Sequence, residues 1–147
     1  MENQEVLEQF IAYLQNLNRF MRASAFDADT HQITRVQWLL LRHLHRKGTT
    51  SIGHLAKHLD VRPSTMSQMI DRLEKTDLVC RKTDLQDARF KKVRLTSKGL
   101  SMIRQVESLW LEALSNPFGH LSTEEKHALL HLLAKLNDNL PKRGGFE

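Results

Sequence analysis

The sequence predicts a mainly α-helical fold of about six helices with one small β-hairpin, in a chain of 147 residues that suits one domain. Apolar residues recur at three- and four-residue steps along most of the chain, which is the pattern of amphipathic helices. Apolar and polar side chains alternate as in a strand only over 90–95. Apolar residues make up 40% and charged residues 27%, a composition that excludes a disordered or membrane-embedded chain.

Capping and terminating residues delimit the first four predicted helices. The first helix carries an apolar stripe that fades before 27–30, formed by Val6, Phe10, Tyr13, Leu14, Leu17, Phe20 and Met21. Thr34 is predicted to cap a second helix over 35–47, which Gly48 ends. Ser51 is predicted to cap a short third helix. Pro63 fits the first turn of a fourth helix that runs to about 76, since a proline there loses no hydrogen bond.

A small β-hairpin is predicted after the fourth helix. A short strand over 78–82 and a polar stretch over 83–89 precede a strand over 90–95, in which Val93 and Leu95 share one side. Thr96 is predicted to cap a long helix that Asn116-Pro117 stops. Ser122 with Glu125 forms a capping box for the last helix.

The excess positive charge lies in one part of the chain. Residues 51–100 hold 11 Lys/Arg and 6 Asp/Glu, whereas the other 97 residues hold 11 of each. A positive field confined to one region indicates a polyanionic partner, with nucleic acid first and an anionic membrane surface second. No apolar run approaches the roughly 20 residues that span a bilayer. The start, MENQEVLEQF, has neither a basic segment nor an apolar signal core, so we expect a soluble, cytoplasmic protein.

The short helix, tight turn, second helix and hairpin coincide with this basic region and predict a helix-turn-helix with a wing. The second of these helices turns an apolar side inward and hydrogen-bonding side chains outward, where they can reach base edges in a major groove. At the hairpin tip, Arg89 can enter a minor groove with Asp87 orienting its guanidinium. The alternatives are an ordinary solvated helix face and a surface Asp–Arg pair.

Several short runs in this region form a pattern. They are Leu55-Ala56, Pro63-Ser64-Thr65, DRLEK at 71–75, Leu78-Val79 and DARFKKVRLTSKG at 87–99. With these residues the chain resembles the MarR family of bacterial winged helix-turn-helix regulators, most specifically in the wing and its Val-x-Leu-Thr-x-x-Gly. The wing departs from the family's Asp-Pro-x-Asp-Arg-Arg, because 84–89 reads DLQDAR. Asp77 also stands where the family often has Gly.

The resemblance implies a transcriptional repressor that binds a palindromic operator as a homodimer. The first and last helices would form the dimer body, so we divide the chain into a helical dimerisation region, 1–33 and 97–147, and a winged helix-turn-helix DNA-binding domain, 34–96. The excess of apolar positions in the terminal helices also favours a dimer, against the alternative that these helices pack on each other. The DNA-binding residues implied are Ser64, Thr65, Ser67, Gln68, Arg72, Asp87, Arg89 and Lys91.

The resemblance also implies an effector pocket between the dimer body and the winged domain, where a small aromatic ligand relieves repression. The candidate residues are Phe20, Arg22, Trp38, Arg42 and His43. An anionic aromatic compound needs a cation beside an apolar wall, and Arg22 or Arg42 near Trp38 would supply both. The alternative for each residue is an ordinary core or surface role.

Other chemistry is not expected. The pairs His54/His58 and His127/His131 have the spacing of metal ligands, but HLAKH lacks the glutamate of a zinc hydrolase. We therefore expect no metal and no cofactor. Thiol sensing, a second known response of the family, is not expected of Cys80, the single cysteine, which is interpreted as a small strand residue. No G-x-S-x-G, P-loop or dinucleotide glycine pattern occurs, so no enzyme is expected.

The same features allow a function of another class. Winged domains can bind protein through the same faces, and the basic region would then meet an acidic partner, with Phe90 as an exposed anchor. Binding to duplex DNA from the promoter beside the protein's own reading frame separates this alternative from a DNA-binding regulator.

Overall fold

The computed structural model describes residues 2–26, 33–83, 85–86 and 91–141, and in these ranges the chain forms six helices and three short strands. The elements are α1 Glu2–Phe26, α2 Arg35–Lys47, β1 Thr50–Ser51, α3 Ile52–His58, α4 Pro63–Lys75, β2 Val79–Thr83, β3 Lys91–Leu95, α5 Ser97–Gly119 and α6 Thr123–Asp138. The predicted fold class, mainly α with about six helices and a small β wing, is confirmed. Within the described ranges, none of the helices is both long and apolar enough to cross a membrane.

Side-chain caps begin the helices where the sequence predicts them. Thr34 and Ser122 each form a capping box with the residue three positions further on. Ser51 and Thr96 each accept a hydrogen bond from the backbone N–H three residues later, and Pro63 lies in the first turn of α4. Each side-chain cap contributes about 1 kcal/mol, so these residues hold the helix starts in place.

Two features differ from the prediction. Helix α5 does not stop at Asn116-Pro117 but continues through Pro117 to Gly119. The fixed φ of proline is compatible with a helix, and the hydrogen bond that it removes lies close to the helix end. The second difference is β1, a two-residue strand that the sequence patterns do not indicate. It adds to the hairpin by pairing antiparallel with β3, Thr50 opposite Val93.

The wing is the antiparallel hairpin of β2 and β3, in a sheet of order β1-β3-β2. Its register runs from Val79 opposite Leu95 to Thr83 opposite Lys91. The wing tip that carries Asp87 and Arg89 in the prediction lies outside the described residues.

The core lies among α2, α3, α4, the sheet and the first half of α5. Its largest fully buried side chains are Leu40, Leu41, Leu44, Leu55, Met66, Ile70, Leu73, Val79, Val93 and Ile103. Three of them, Met66, Ile70 and Leu73, come from the predicted inward side of α4. That side therefore anchors α4, and its opposite side is turned away from the core.

Helices α1 and α6 leave their apolar stripes exposed within the single chain. Against the part of the chain that the structure describes, α1 buries only Ala25 and α6 buries none of its residues. The large apolar side chains left exposed are Val6, Leu7, Ile11, Tyr13, Leu14, Leu17 and Phe20 on α1, and Leu129, Leu130, Leu132, Leu133 and Leu136 on α6. Contiguous apolar surface of this extent is characteristic of an interaction site.

Candidate functional site

The outer side of α4 gathers five of the sequence-predicted DNA-binding residues on one helix. Ser67 is half-buried, and the other four are exposed, namely Ser64, Thr65, Gln68 and Arg72. They point away from the core because Met66, Ile70 and Leu73 occupy the opposite side of the helix. The result is a row of hydrogen-bonding side chains on a rigid, exposed helix.

The wing carries cations on the sheet face that is opposite to the buried Val79 and Val93. Lys82 and Lys92 lie directly opposite each other in the hairpin register, and Arg94 follows on the same sheet face. These cations give this face of the wing a positive charge, which attracts anions. Lys91, the remaining predicted contact in the described part of the wing, is exposed. Asp87 and Arg89 lie outside the described residues.

Arg81, which the sequence patterns do not single out, joins the wing to α4. Its Nη2 lies 2.6 Å from Asp71 Oδ1, and its Nη1 lies 3.4 Å from Glu74 Oε1. The Arg81 backbone N–H donates to Glu74 Oε2 at 3.1 Å. Arg81 alternates with Lys82 along β2 and shares the sheet face of the buried Val79. The sequence contained one signal for this contact. Asp71 and Glu74 are acidic residues on a helix that is expected to meet phosphates, so a neighbouring cation is needed to neutralise them.

The end of α4 is tied to the start of α5. Asp77, which stands where the family often has Gly, has φ 62°, a left-handed conformation that aspartate tolerates better than most residues. The Asp77 carbonyl oxygen accepts a 2.6 Å hydrogen bond from Thr96 Oγ1. Lys98 Nζ donates to the Thr76 carbonyl oxygen at 2.9 Å. These bonds set the position of α4 against the long helix that leads away from the winged domain.

A cavity of about 410 Å³ lies between α1, α2 and α5. Its volume is within the range of small-molecule sites. Its lining includes three arginines and three aromatic rings, namely Arg22, Arg35, Arg42, Phe26, Trp38 and Trp110. The cavity therefore combines positive charge with an apolar wall.

The three rings form one cluster at this cavity. The ring centroids of Trp38 and Trp110 are 4.9 Å apart at an interplanar angle of 82°, and the Phe26 centroid is 6.1 Å from each. Edge-to-face pairs at these distances are favourable. Trp38 is only 7% exposed, and its buried Nε1 has no hydrogen-bond partner among the described residues. That N–H is therefore a hydrogen-bond donor available to a molecule bound in the cavity.

Arg42 brings a cation onto this aromatic wall. Its guanidinium carbon lies 5.2 Å from the Trp38 ring centroid, a distance suited to a cation–π contact. Burial, and then the charge of Arg46, lower the pKa of Arg42, while Glu107 opposes this effect. An anion bound beside Arg42 would compensate a charge that is partly removed from water.

The structure separates the five predicted effector residues into two groups. Arg22, Trp38 and Arg42 line the cavity. Phe20 lies on the exposed stripe of α1 and is not part of the lining. His43 is 5% exposed and packs instead against α3, with its ring centroid 4.1 Å from that of His58.

His43, His54 and His58 form a stacked group. His54 lies 6.2 Å from His43 and 6.3 Å from His58, measured between ring centroids. Within 2–26, 33–83, 85–86 and 91–141, no group of three or more His, Cys, Asp or Glu side chains is arranged to hold a metal ion. Cys80 is a half-buried free thiol on β2.

Comparisons with known proteins agree with this geometry. The model of the MarR family matches residues 33–91, which contain the helix-turn-helix and the start of β3. A MarR family protein from Bacillus stearothermophilus is 26% identical over 96% of this chain and 94% of that one, with a TM-score of 0.72. RV1404 from Mycobacterium tuberculosis is 23% identical over 95% and 94% of the two chains, with a TM-score of 0.80. BpsR from Bordetella bronchiseptica, whose DNA binding is regulated by 6-hydroxynicotinic acid, is 24% identical over 88% and 98%, with a TM-score of 0.59.

Proposed function

This chain belongs to the MarR family of winged-helix transcriptional regulators, and on that premise we propose that it binds a palindromic operator as a homodimer and represses transcription in the cytoplasm. In this proposal α4 enters the major groove and the wing lies over the flanking minor groove. The chain acts by binding, without catalysis. The observation that carries the proposal is the exposed polar side of α4, which is followed along the chain by a wing with a cationic face.

The two parts of this surface have different proposed tasks. Gln68 and Arg72 supply donors and an acceptor for base edges, since a glutamine suits adenine and an arginine suits guanine in the major groove. Lys82 and Lys92 supply charge to phosphates, which fixes position without reading sequence. By resemblance alone, Arg89 would enter the minor groove with Asp87 as its support.

A second copy of this chain is the proposed partner of the exposed stripes on α1 and α6. A symmetric pair would cover both stripes with the same surface on the other protomer. It would also present two α4 helices about one duplex turn apart, roughly 34 Å, as a palindromic site requires. The helical ends of the chain therefore serve dimerisation, and the winged part serves DNA binding.

The proposed effector is an anionic aromatic compound that binds between α1, α2 and α5 and releases DNA. Arg22 and Arg42 offer charge, Trp38 and Trp110 offer an apolar wall, and the buried Trp38 Nε1 offers a donor. The likeness to BpsR, which responds to an aromatic acid, supports this class of ligand. Phe20 and His43 are left out of this proposal because neither lines the cavity.

A salt titration of duplex binding tests the function. The probe is a fluorescent duplex from the promoter beside the protein's own reading frame, with non-specific duplex as competitor. If about six phosphates are neutralised, log K should fall with log salt at a slope near −5. Arg72→Ala should weaken operator binding by about 1–3 kcal/mol, whereas Arg104→Ala, which removes an exposed arginine of α5, should not.

The same binding assay can also give a result that contradicts the proposal. A protein that ignores duplex DNA at low salt while binding acidic polypeptides would contradict the proposal. It would favour the alternative function, a winged-helix module for an acidic protein partner.

A further inference from the structure

We propose that Arg81 is a positioning residue for DNA binding, which neutralises the two carboxylates of α4 and fixes α4 relative to the wing. This inference rests on the proposed function, because it concerns the surface that would bind DNA. Arg81 itself would contact neither bases nor phosphates.

The geometry is that of one guanidinium bridging two acidic residues three positions apart. Nη2 contacts Asp71 at 2.6 Å, Nη1 contacts Glu74 at 3.4 Å, and the Arg81 backbone N–H contacts Glu74 as well. A planar guanidinium can address two carboxylates at once, which a lysine ammonium at the end of a flexible chain does less well. The wing and α4 are therefore joined by charge-assisted contacts at two points along α4.

The same guanidinium reaches a proposed DNA contact. Arg81 Nη2 donates to the Ser67 carbonyl oxygen at 3.4 Å and lies 3.5 Å from Ser67 Oγ. These contacts fix the position of Ser67 relative to the wing, while its neighbour Gln68 remains exposed. Positioning by Arg81 would thus act on residues that read sequence, and not only on the overall charge.

Charge gives a second reason for the pairing. At 100° per residue, Asp71 lies on the outer side of α4 between the positions of Ser64 and Ser67. Without a cation beside them, Asp71 and Glu74 would repel the phosphates that this face has to approach. The Arg81 side chain is 22% exposed, whereas those of Asp71 and Glu74 are 49% and 40% exposed. The arginine is the shielded member of the group, which suits a support better than a phosphate contact.

The test compares variants of the full-length protein on operator and non-specific duplexes across a range of salt concentrations. Arg81→Met should weaken operator binding by about tenfold, the scale of a lost charge-assisted hydrogen bond. Its salt slope should equal that of the wild type, because no phosphate contact is lost. A slope smaller by about 1 would show that Arg81 contacts a phosphate directly and would overturn the inference. The contrasting variant is Lys82→Met on the opposite face of the same strand, which removes a proposed phosphate contact and should therefore lower the salt slope by about 1.

A variant that removes all three charges separates the two effects. Arg81→Met combined with Asp71→Asn and Glu74→Gln should recover affinity for non-specific duplex, because no unpaired carboxylate remains. Its ratio of operator to non-specific affinity should stay below that of the wild type, because the link between wing and α4 is gone. A wild-type ratio would overturn the positioning role.

Two further measurements keep the outcomes distinct. Arg81→Lys should fall between the wild type and Arg81→Met, and it preserves the charge if the methionine variant does not fold. An Arg81→Met protein with unchanged operator affinity overturns this inference alone. A wild-type protein that binds no duplex DNA overturns the proposed function and this inference with it.

Discussion

The indole Nε1 of Trp110 donates a hydrogen bond of 2.9 Å to the backbone carbonyl oxygen of Met21. This bond ties α5 to α1, and the Trp110 ring packs edge-to-face on Trp38 of α2. Three helices are thus joined at the proposed effector cavity. A ligand that changes the contact between Trp38 and Trp110 would act at the same time on the proposed dimer body and on the first helix of the winged domain.

Salicylate should change the tryptophan fluorescence of this protein and weaken its binding to DNA. Trp38 and Trp110 are the only tryptophans of the chain, and both line the cavity. A fluorescence titration therefore reports on the cavity alone. Arg42→Met should weaken the binding of salicylate by about tenfold, the effect of losing one charge-assisted contact.

The control for this prediction is Arg46→Met, which removes an exposed arginine one helical turn further along α2 and outside the cavity lining. This variant should bind salicylate nearly as the wild type does. If neither the fluorescence nor the DNA affinity of the wild type responds to millimolar salicylate, the anionic aromatic effector is wrong.

Gly99→Ala should destabilise the fold by about 1–3 kcal/mol, the usual cost of adding atoms to a packed site. A Cβ at Gly99 would overlap the backbone carbonyl oxygen of Leu78 and lie 2.6 Å from Leu95 Cδ1. The backbone oxygen cannot rotate away as a side chain can, so α5 would have to shift from the wing. Thermal or urea unfolding measures the loss.

The control is Gly53→Ala in α3, where a Cβ would meet no described atom within 4 Å. Alanine is the better helix former by about 1 kcal/mol, so this variant should be as stable as the wild type or more so. Equal stabilities for both alanine variants would contradict the close approach at Gly99.

Local patterns predicted the parts of the structure that depend on neighbouring residues. The cap at Thr34 and the helix end at Gly48 each depend on atoms within four residues, so the sequence is enough to find them. The contact of Arg81 with Asp71 crosses from a strand to a helix and depends on the wing register. The approach of Trp110 to Trp38 depends on how α5 packs against α2, which no local pattern contains. Apart from the end of α5, which lies beyond Pro117, the missed features are therefore tertiary ones.

Leu133→Lys on α6 should shift the protein from dimer to monomer at micromolar concentration and weaken its operator binding. Leu133 belongs to the exposed stripe of α6. In a symmetric dimer the substitution removes this leucine from both protomers and therefore from two places in the interface. Each leucine side chain buried in the interface is worth about 1.5–3 kcal/mol, and a lysine there would carry an unpaired charge into it. Sedimentation or light scattering measures the assembly state.

His131→Lys places the same charge two residues before Leu133, about 160° away from it around the helix, on an exposed position outside the stripe. It should leave both the assembly state and the DNA affinity unchanged. A wild-type protein that is already monomeric at micromolar concentration would contradict the homodimer.

Lowering the pH should destabilise the fold through His43. Burial, and then the charges of His58, His54 and Lys47, lower the pKa of His43 below its usual 6.5. Because the unfolded chain takes up this proton more readily, the stability from neutral His43 is fully present above about pH 6.5 and is lost as the pH falls through the folded-state pKa. The free energy of unfolding should therefore decline as the pH is lowered from about 7, and it should decline less steeply in His43→Gln. The comparison is His45→Gln, which removes an exposed histidine of the same helix and should keep the wild-type slope. Equal slopes in the two variants would show that protonation of His43 does not contribute to the acid sensitivity of the fold.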